Sequence, residues 1–167
     1  MKRNIRKVAV LGSGIMGSGI ACQLANVGIE VLLLDIVPKE FENSDNKSKR
    51  NSIVNNALKA SLKSKPSPIY VQSFSKRIST GNFTDDMHKI ADCDWIIEVV
   101  VERLDIKKII FDQVDKFRKE GSLVSSNTSG IPIALMLEDK SEDFKANFLG
   151  THFFNPPRYL KLLEIIP

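Results

Sequence analysis

The segment Gly12–Gly17 constrains the fold more than any other feature, because its sequence GSGIMG fits the pattern GxGxxG. The apolar run Lys7–Leu11 before it predicts a buried strand, and Gly17–Val27 has the composition of a helix. Val31–Leu34 predicts a second buried strand. Strand, helix and strand within about 30 residues form a βαβ unit, which implies a parallel sheet.

The glycine loop predicts a dinucleotide site. Gly12 can form the tight turn, Gly14 lets the backbone approach a pyrophosphate, and Gly17 lets the helix pack closely on the strand. The N-terminus of the helix supplies free N–H groups for the anion. The alternative is that the glycines only shape a turn. The candidate cofactor contacts in the loop are Gly12, Ser13, Gly14, Ile15, Met16 and Gly17.

Asp35 predicts which dinucleotide binds. It lies 23 residues after Gly12, at the end of the second strand, where its carboxylate can accept hydrogen bonds from both ribose hydroxyls of an adenosine. A carboxylate repels a 2′-phosphate, and the following residues 36–38 include no cation to neutralise one. The sequence therefore predicts NAD rather than NADP as the cofactor.

The rest of the chain predicts an α/β, Rossmann-type doubly wound fold, with a mainly parallel sheet and a helical insertion after strand two. The insertion, residues 36–77, carries one amphipathic helix around Ile53–Leu62. Further strands are expected at Arg77–Thr80, Trp95–Val101 and Leu123–Ser125. Further helices are expected after a capping Thr84, from Ile106 to Phe117 with a cap at Gly121, and at Ile131–Leu137.

The C-terminal residues predict an antiparallel hairpin of two strands, Phe148–Phe154 and Leu162–Ile166, joined by a turn with two prolines. In this register His152 opposes Glu164, with Cβ atoms about 5 Å apart. An unpaired carboxylate among the apolar neighbours of Glu164 would be costly. A paired one can orient the imidazole, as a general base requires. The alternative is a histidine that only completes the core.

The loop Ser125–Gly130, with the sequence SSNTSG, follows a strand at the edge where open α/β sheets bind ligands. Its four hydroxyls and one amide can position a polar substrate. The alternative is a loop that caps the helix starting near Ile131.

Charge and composition limit the classes of ligand and partner that the chain can bind. The chain has a net charge of +4, and residues 36–80 hold nine Lys or Arg against three acids. Such a segment attracts phosphate-rich ligands or is simply a solvated face. It has too few aromatic residues to favour nucleic acid. There is no apolar run long enough for a membrane span. Two cysteines without metal-binding spacing suit the cytoplasm and predict no metal site.

Together, the glycine loop, the SSNTS loop and the segment His152–Pro156 resemble the NAD-binding domain of the 3-hydroxyacyl-CoA dehydrogenases. The likeness covers essentially all 167 residues. The sequence HFFNP with Glu164 twelve residues after its histidine is far more specific than the glycine loop alone. The resemblance implies NAD-dependent oxidation of (S)-3-hydroxyacyl-CoA to 3-oxoacyl-CoA in fatty-acid β-oxidation.

The same resemblance implies roles for individual residues. His152 would be the general base, Glu164 would orient it, and Ser129 would bond the reacting oxygen and lie beside the cofactor. Further cofactor contacts are implied at Asn155, near the nicotinamide, and at Glu102 and Lys107. The serine and lysine that contact coenzyme A in the family have no clear equivalents: Ala57 lies near the serine position, and Lys63 or Lys65 only loosely near the lysine.

The family also has a helical C-terminal domain that supplies a catalytic asparagine and forms a homodimer. We expect residues 1–167 to be the NAD-binding domain and the helical domain to be absent from this chain. The family includes multifunctional proteins fused to an enoyl-CoA hydratase, so the resemblance leaves such a parent enzyme open. Two alternatives remain open at this point. One is another 3-hydroxyacid dehydrogenase, which uses a lysine from later in the chain, and the other is a non-catalytic NAD-sensing domain.

Overall fold

The computed structural model describes residues 3–167, so the first two residues of the expected domain lie outside the description. Its centre is a seven-stranded sheet in the order β3-β2-β1-β4-β5-β6-β7. The strands are β1 Lys7–Leu11, β2 Glu30–Asp35, β3 Ile78–Asn82, β4 Trp95–Glu98, β5 Leu123–Ser126, β6 Phe148–Phe153 and β7 Leu163–Ile166. All neighbouring strands are parallel except β6 and β7. The predicted fold class is confirmed.

Helices cover both faces of this sheet. The α-helices are α1 Ile15–Asn26, α2 Lys47–Arg50, α3 Ser52–Lys63, α4 Phe83–Asp86, α5 Leu104–Phe117, α6 Ile133–Leu137 and α7 Glu142–Ala146. Short 3₁₀ helices span Lys39–Phe41, Gln72–Arg77 and Met87–Asp92. The predicted insertion helix is α3, and the polar stretch before it contains the additional turn α2, capped by the side chain of Asn46.

The core lies on both sides of the central strands, because successive side chains of a strand point to opposite faces. In β1, Val8 and Val10 are buried in the cluster that includes residues of α1. Ala9 and Leu11 are buried on the other face, with residues of α5 such as Phe111. A strand covered on both faces shows the continuous apolar run by which β1 could be predicted.

Two predicted ends are wrong. The strand expected to run to Val101 ends at Glu98, after which the chain turns, and Val101 is exposed. The helix expected to be capped by Gly121 ends at Phe117, because Arg118 already has an extended backbone. Gly121, with φ of 74°, lies instead in the turn that leads into β5.

One predicted cap is also wrong, and helix α7, like α2, was not predicted. The cap of α4 is Asn82, whose side chain accepts a hydrogen bond from the Asp85 amide at 2.8 Å, whereas Thr84 lies inside the helix. Helix α7 follows Ser141, whose hydroxyl accepts from the Phe144 amide at 3.2 Å. The sequence Ser-Glu-Asp at its start is a normal capping signal.

The C-terminal hairpin has the predicted register, with His152 opposite Glu164 in the β6–β7 pair. Strand β7 forms one edge of the sheet, and all four of its residues are exposed. Across residues 3–167, none of the helices has the length and apolar character that crossing a membrane requires.

Candidate cofactor and active site

The candidate site lies where the sheet changes direction. The chain passes from β1 outward to β2 and β3, then returns to form β4 on the other side of β1. The loops after β1 and β4 therefore diverge and leave a crevice at the carboxyl ends of the strands. Ligands of open α/β sheets bind in such a crevice.

The glycine loop lies at the centre of the crevice and is shaped by backbone contacts. Gly12 has φ of 108°, and a Cβ there would lie 2.6 Å from the carbonyl oxygen of Val99. A Cβ on Gly17 would lie 1.9 Å from the carbonyl oxygen of Gly12. By contrast, a Cβ on Gly14 would meet nothing within 4 Å. Close packing therefore requires glycine at positions 12 and 17, whereas Gly14 faces the open crevice.

Helix α1 presents its N-terminus at this opening. Its N-cap residue is Gly14, and neither a side-chain cap nor an acidic residue occupies the first turn. The first backbone N–H groups are therefore free to donate to an anion. The Ile15 side chain is 82% exposed, whereas Ser13 is buried beneath the loop. These features fit the pyrophosphate of a dinucleotide.

Asp35 lies beside the loop, and both of its carboxylate oxygens already accept hydrogen bonds from the protein. Its Oδ2 accepts hydrogen bonds from the amide and the hydroxyl of Ser13, at 2.7 and 2.5 Å, and its Oδ1 accepts from the Ile36 amide at 2.7 Å. A carboxylate can accept about four hydrogen bonds. One acceptor position remains for a ribose hydroxyl, and a second becomes free when the Ser13 hydroxyl rotates.

A largely apolar cavity of about 510 Å³ opens next to Asp35. It lies between the end of β2 and helices α4 and α5, and it suits an adenine ring, which is flat and mostly apolar. Its lining residues are Ile36, Val37, Glu42, Arg50, Phe83, Thr84, Ile106, Ile109, Ile110 and Gln113. The glycine loop thus fits the diphosphate of an adenosine diphosphate, the Asp35 carboxylate fits its ribose, and the cavity fits its adenine.

On the other side of the crevice, a buried charge cluster joins β4 to α5. The Lys107 ammonium lies 2.8 Å from both carboxylate oxygens of Glu98, and both side chains are fully buried. The same ammonium lies 3.1 Å from Glu102 Oε2. Burial raises the pKa of Glu98, while the nearby ammonium opposes that rise. Lys107 is therefore held inside the protein and presents no exposed surface to a cofactor.

Glu102 connects this cluster to the SSNTS loop. Its Oε1 accepts hydrogen bonds from the Thr128 hydroxyl and from the amides of Ser129 and Gly130, at 3.2 and 3.4 Å for the two amides. Burial opposes its ionisation, but the hydrogen bonds from Thr128 and Lys107 prevail and lower the pKa of Glu102. Glu102 is thus an ionised carboxylate that orders the loop.

The SSNTS loop offers fewer free hydroxyls than expected. Ser125 bonds Trp95 and Thr151, while Ser126 donates to Glu98. Thr128 also accepts from the Ile131 amide at 3.1 Å, so the capping alternative holds for this residue. Ser129 is exposed at the crevice. Of the four hydroxyls, only that of Ser129 makes no hydrogen bond within residues 3–167, and it is the one suited to a ligand.

The hairpin places His152 against Glu164 as predicted, with His152 Nδ1 2.7 Å from Glu164 Oε2. The imidazole also packs against Phe154, with ring centroids 4.8 Å apart. A neutral imidazole in this pair carries its proton on Nδ1 and keeps an acceptor lone pair on Nε2. Asn155 is exposed at the start of the turn that follows β6.

Two features of the site were not predicted. Glu98 was treated only as part of a strand, although a charged residue inside an apolar run signals a buried partner. Arg158, in the hairpin turn, donates to the carbonyl oxygens of Ser67 and Ile69 at 2.6 and 2.9 Å. This contact ties the hairpin to the basic insertion, and a distant pairing of this kind has no local sequence signal.

The fold and the crevice define a dinucleotide-binding domain of the Rossmann class. The family described as "3-hydroxyacyl-CoA dehydrogenase, NAD binding domain" matches residues 7–167. The chain belongs to this family, and its cofactor is NAD.

Individual relatives agree with this assignment. The chain is 56% identical to a probable 3-hydroxyacyl-CoA dehydrogenase of Bacillus subtilis, over 100% of this chain and 22% of the relative. It is 42% identical to a putative fatty acid oxidation complex trifunctional enzyme of Rickettsia felis, over 99% of this chain and 22% of the relative. A solved 3-hydroxybutyryl-CoA dehydrogenase from Escherichia coli superposes with a TM-score of 0.70 at 31% identity, over 97% of this chain and 32% of that one.

These relatives are much longer than this chain. It spans about a fifth of the first relative and 45% of a probable 3-hydroxyacyl-CoA dehydrogenase of Deinococcus radiodurans, to which it is 46% identical over 98% of its own length. The match therefore concerns one domain of larger proteins.

Proposed function

We propose that this domain serves an enzyme that oxidises (S)-3-hydroxyacyl-CoA to 3-oxoacyl-CoA with NAD, in fatty-acid oxidation. The observation that carries the proposal is the His152–Glu164 pair, 2.7 Å apart on the paired strands β6 and β7. A domain that only senses NAD does not need an oriented imidazole. The names of the relatives, which include fatty-acid oxidation enzymes, support the same reaction.

Each side chain of the site has a separate role in this reaction. NAD, when bound, would accept the hydride. His152 Nε2 takes the proton of the substrate hydroxyl, while Glu164 holds Nδ1 and stabilises the imidazolium that forms. Ser129 donates a hydrogen bond to the reacting oxygen. Asn155, Glu102 and Lys107 define the nicotinamide side of the crevice, the last through Glu102 rather than by direct contact.

The insertion supports an acyl-CoA as the substrate. Lys59 and Lys63 line a groove between α3 and β3, and Arg158 fastens the hairpin turn to the same insertion. Basic side chains can attract the phosphates of coenzyme A. The contact of Arg158 with Ser67 joins this basic region to the strand that carries His152.

We further propose that the parent enzyme has a helical C-terminal domain that packs on β7 and forms a homodimer. The exposed apolar residues of this edge strand, among them Ile165 and Ile166, support a covering partner. Fusion to an enoyl-CoA hydratase is compatible with relatives named as multifunctional. A cytoplasmic location stays a prediction, since relatives from Brassica napus and Arabidopsis thaliana are named glyoxysomal and peroxisomal.

The proposal is tested with three proteins: residues 1–167, the full-length parent, and the parent with His152→Gln. The isolated domain should bind NADH at micromolar concentration, since the glycine loop and Asp35 lie within it. It should oxidise 3-hydroxyacyl-CoA orders of magnitude more slowly than the parent, because the closing domain supplies positioning and water exclusion. Steady-state rates and NADH titrations measure both quantities.

Each outcome has a clear meaning. General-base catalysis contributes about 10²–10⁴-fold, so His152→Gln should reduce kcat of the parent by that factor with little change in NADH affinity. Full activity of that variant would contradict the role of His152 and favour a dehydrogenase that uses a later lysine. Full activity of the isolated domain would show that the catalytic groups are misassigned.

A further inference from the structure

We propose that Asp85 determines cofactor specificity by holding the Arg50 guanidinium away from the position that the 2′-phosphate of NADP would occupy. The proposal rests on NAD binding by this domain and not on the reaction proposed above. It concerns a cation that the insertion brings to the adenosine side of the crevice, and a carboxylate that neutralises it there.

Arg50 belongs to the adenosine side of the site although it lies 15 residues after Asp35. It lines the cavity next to Ile36, and among the residues that line this cavity it is the one with a positive charge. The pairing of β2 with β3 shows how Arg50 is positioned relative to Asp35. Asn82 is paired with Asp35 on the neighbouring strand, and the side-chain Nδ2 of Asn82 donates to Asp85 Oδ2 at 2.8 Å.

The guanidinium is almost fully engaged. Its Nε and Nη2 donate to the two carboxylate oxygens of Asp85, both at 2.7 Å, in a bidentate pair. Its Nη1 donates to the carbonyl oxygens of Phe41, at 3.4 Å, and of Glu42. The Arg50 side chain is only 13% exposed. A guanidinium has five N–H donors, and this arrangement uses four of them.

The ion pair changes the reason for NAD preference. The sequence suggested that Asp35 repels the 2′-phosphate of NADP and that residues 36–38 include no cation to offset this repulsion, but the structure places the cation Arg50 at the same cavity. The hydrogen bonds from Arg50 lower the pKa of Asp85 to about 2, so the Asp85 carboxylate is charged in any ordinary binding assay. A 2′-phosphate at this cavity would therefore meet the carboxylates of Asp35 and Glu42 and an arginine that Asp85 already neutralises.

Removal of the Asp85 charge should release the arginine. A guanidinium that approaches a dianionic phosphate within several ångströms at a hydrated surface gains enough electrostatic energy for about a five- to tenfold change in affinity. The phosphate is a good partner, because arginine binds phosphate in bidentate geometry. Asp35 remains in place, so NADH should still be preferred overall.

The experiment titrates NADH and NADPH into wild type, Asp85→Asn and the charge-matched double variant Asp85→Asn with Arg50→Gln. Wild type should bind NADH more than tenfold tighter than NADPH. In Asp85→Asn, the ratio of the NADPH to the NADH dissociation constant should fall about five- to tenfold. The double variant should return to the wild-type ratio, because its gain depends on the free arginine.

Two controls keep the test decisive. Glu142→Gln removes a carboxylate that pairs with Lys145 on the exposed face of α7, outside the cavity, and should leave the ratio unchanged. If Asp85→Asn does not fold by circular dichroism, Asp85→Ser replaces it, since a serine hydroxyl can still accept from Asn82. An unchanged ratio in the folded variant overturns the proposal. An equal fall in the double variant or in Glu142→Gln overturns it too, because either result would assign the effect to charge alone.

Discussion

The glycine loop lies in the crevice and the C-terminal hairpin lies at one edge of the sheet, and the two are built in different ways. The loop is shaped by backbone contacts of buried residues close together in sequence, such as Gly12 and Gly17. The hairpin carries its chemistry on two side chains, His152 and Glu164, which are 27% and 52% exposed. The proposed cofactor-binding half of the site is thus part of the core, whereas the proposed catalytic half is attached to the edge of the sheet.

The cluster of Glu98, Lys107 and Glu102 lies between these halves, with Glu98 and Lys107 fully buried and the Glu102 side chain 41% exposed. Glu98 ends a central strand, and Glu102 orders the loop that carries Ser129. The Glu98–Lys107 contact is as buried as the backbone contacts of the glycine loop. The comparison therefore predicts that substitutions cost stability in the order cluster, glycine loop, hairpin.

The largest effect is expected for Lys107→Met. Loss of one partner of a buried ion pair leaves an uncompensated charge, which costs about 3–5 kcal/mol. Glu98 would stay fully buried opposite an apolar side chain. Urea unfolding of the isolated domain measures the change in free energy of unfolding.

The neighbouring residue offers a matched control. Lys108 pairs with Glu138 at 2.5 Å on the surface, where such pairs contribute about 0–1 kcal/mol. Lys108→Met should therefore be nearly neutral. The double variant Glu98→Gln with Lys107→Met should regain part of the loss, because it removes the isolated charge. Equal costs for the two lysine variants would refute the special role of the cluster.

A smaller loss is expected for Gly17→Ala. Its Cβ would lie 1.9 Å from the carbonyl oxygen of Gly12, so the loop and helix α1 must move apart. Overpacking of this kind costs about 1–3 kcal/mol, and occasionally more. Thermal unfolding and NADH titration should both show a loss, because the displaced loop is also the proposed pyrophosphate site.

Gly14→Ala separates these two effects. A Cβ at Gly14 meets no protein atom within 4 Å, so stability should change by less than about 1 kcal/mol. The same methyl group occupies space where the pyrophosphate approaches, so NADH affinity should fall at least tenfold. Unchanged NADH affinity in a folded Gly14→Ala protein would place the pyrophosphate elsewhere.

The sequence predicted the fold well where one local pattern determined it. Strand β1 and helix α5 follow from buried runs and apolar stripes, which depend only on nearby residues. The ends of elements were predicted less well. Asn82 rather than Thr84 caps α4, because the end of β3 positions the chain there, and Gly121 forms a turn because α5 ends earlier at Phe117. Such choices depend on tertiary packing.

The site shows the same division. The His152–Glu164 contact could be predicted because a hairpin fixes which residues face each other. The engagement of Lys107 by Glu98 could not, since it joins a strand to the following helix through side chains. Likewise, the Arg50–Asp85 pair joins the insertion to α4 across 35 residues, beyond any periodic pattern.

The smallest effect on stability is expected at the hairpin, for Glu164→Gln. The hydrogen-bonded pair it forms with His152 is partly exposed, and exposed side-chain pairs contribute about 0–1 kcal/mol. The free energy of unfolding of the isolated domain should therefore change by less than about 1 kcal/mol, and NADH affinity should hardly change. In the full-length parent the same variant should lower kcat, because the imidazole loses its orienting carboxylate. A destabilisation above about 2 kcal/mol would mean that the pair holds the sheet edge together and that its contribution to activity is only structural. A low kcat in a protein of normal stability would instead locate the catalytic half at the edge of the sheet, where side chains can be tuned for chemistry without loss of the core.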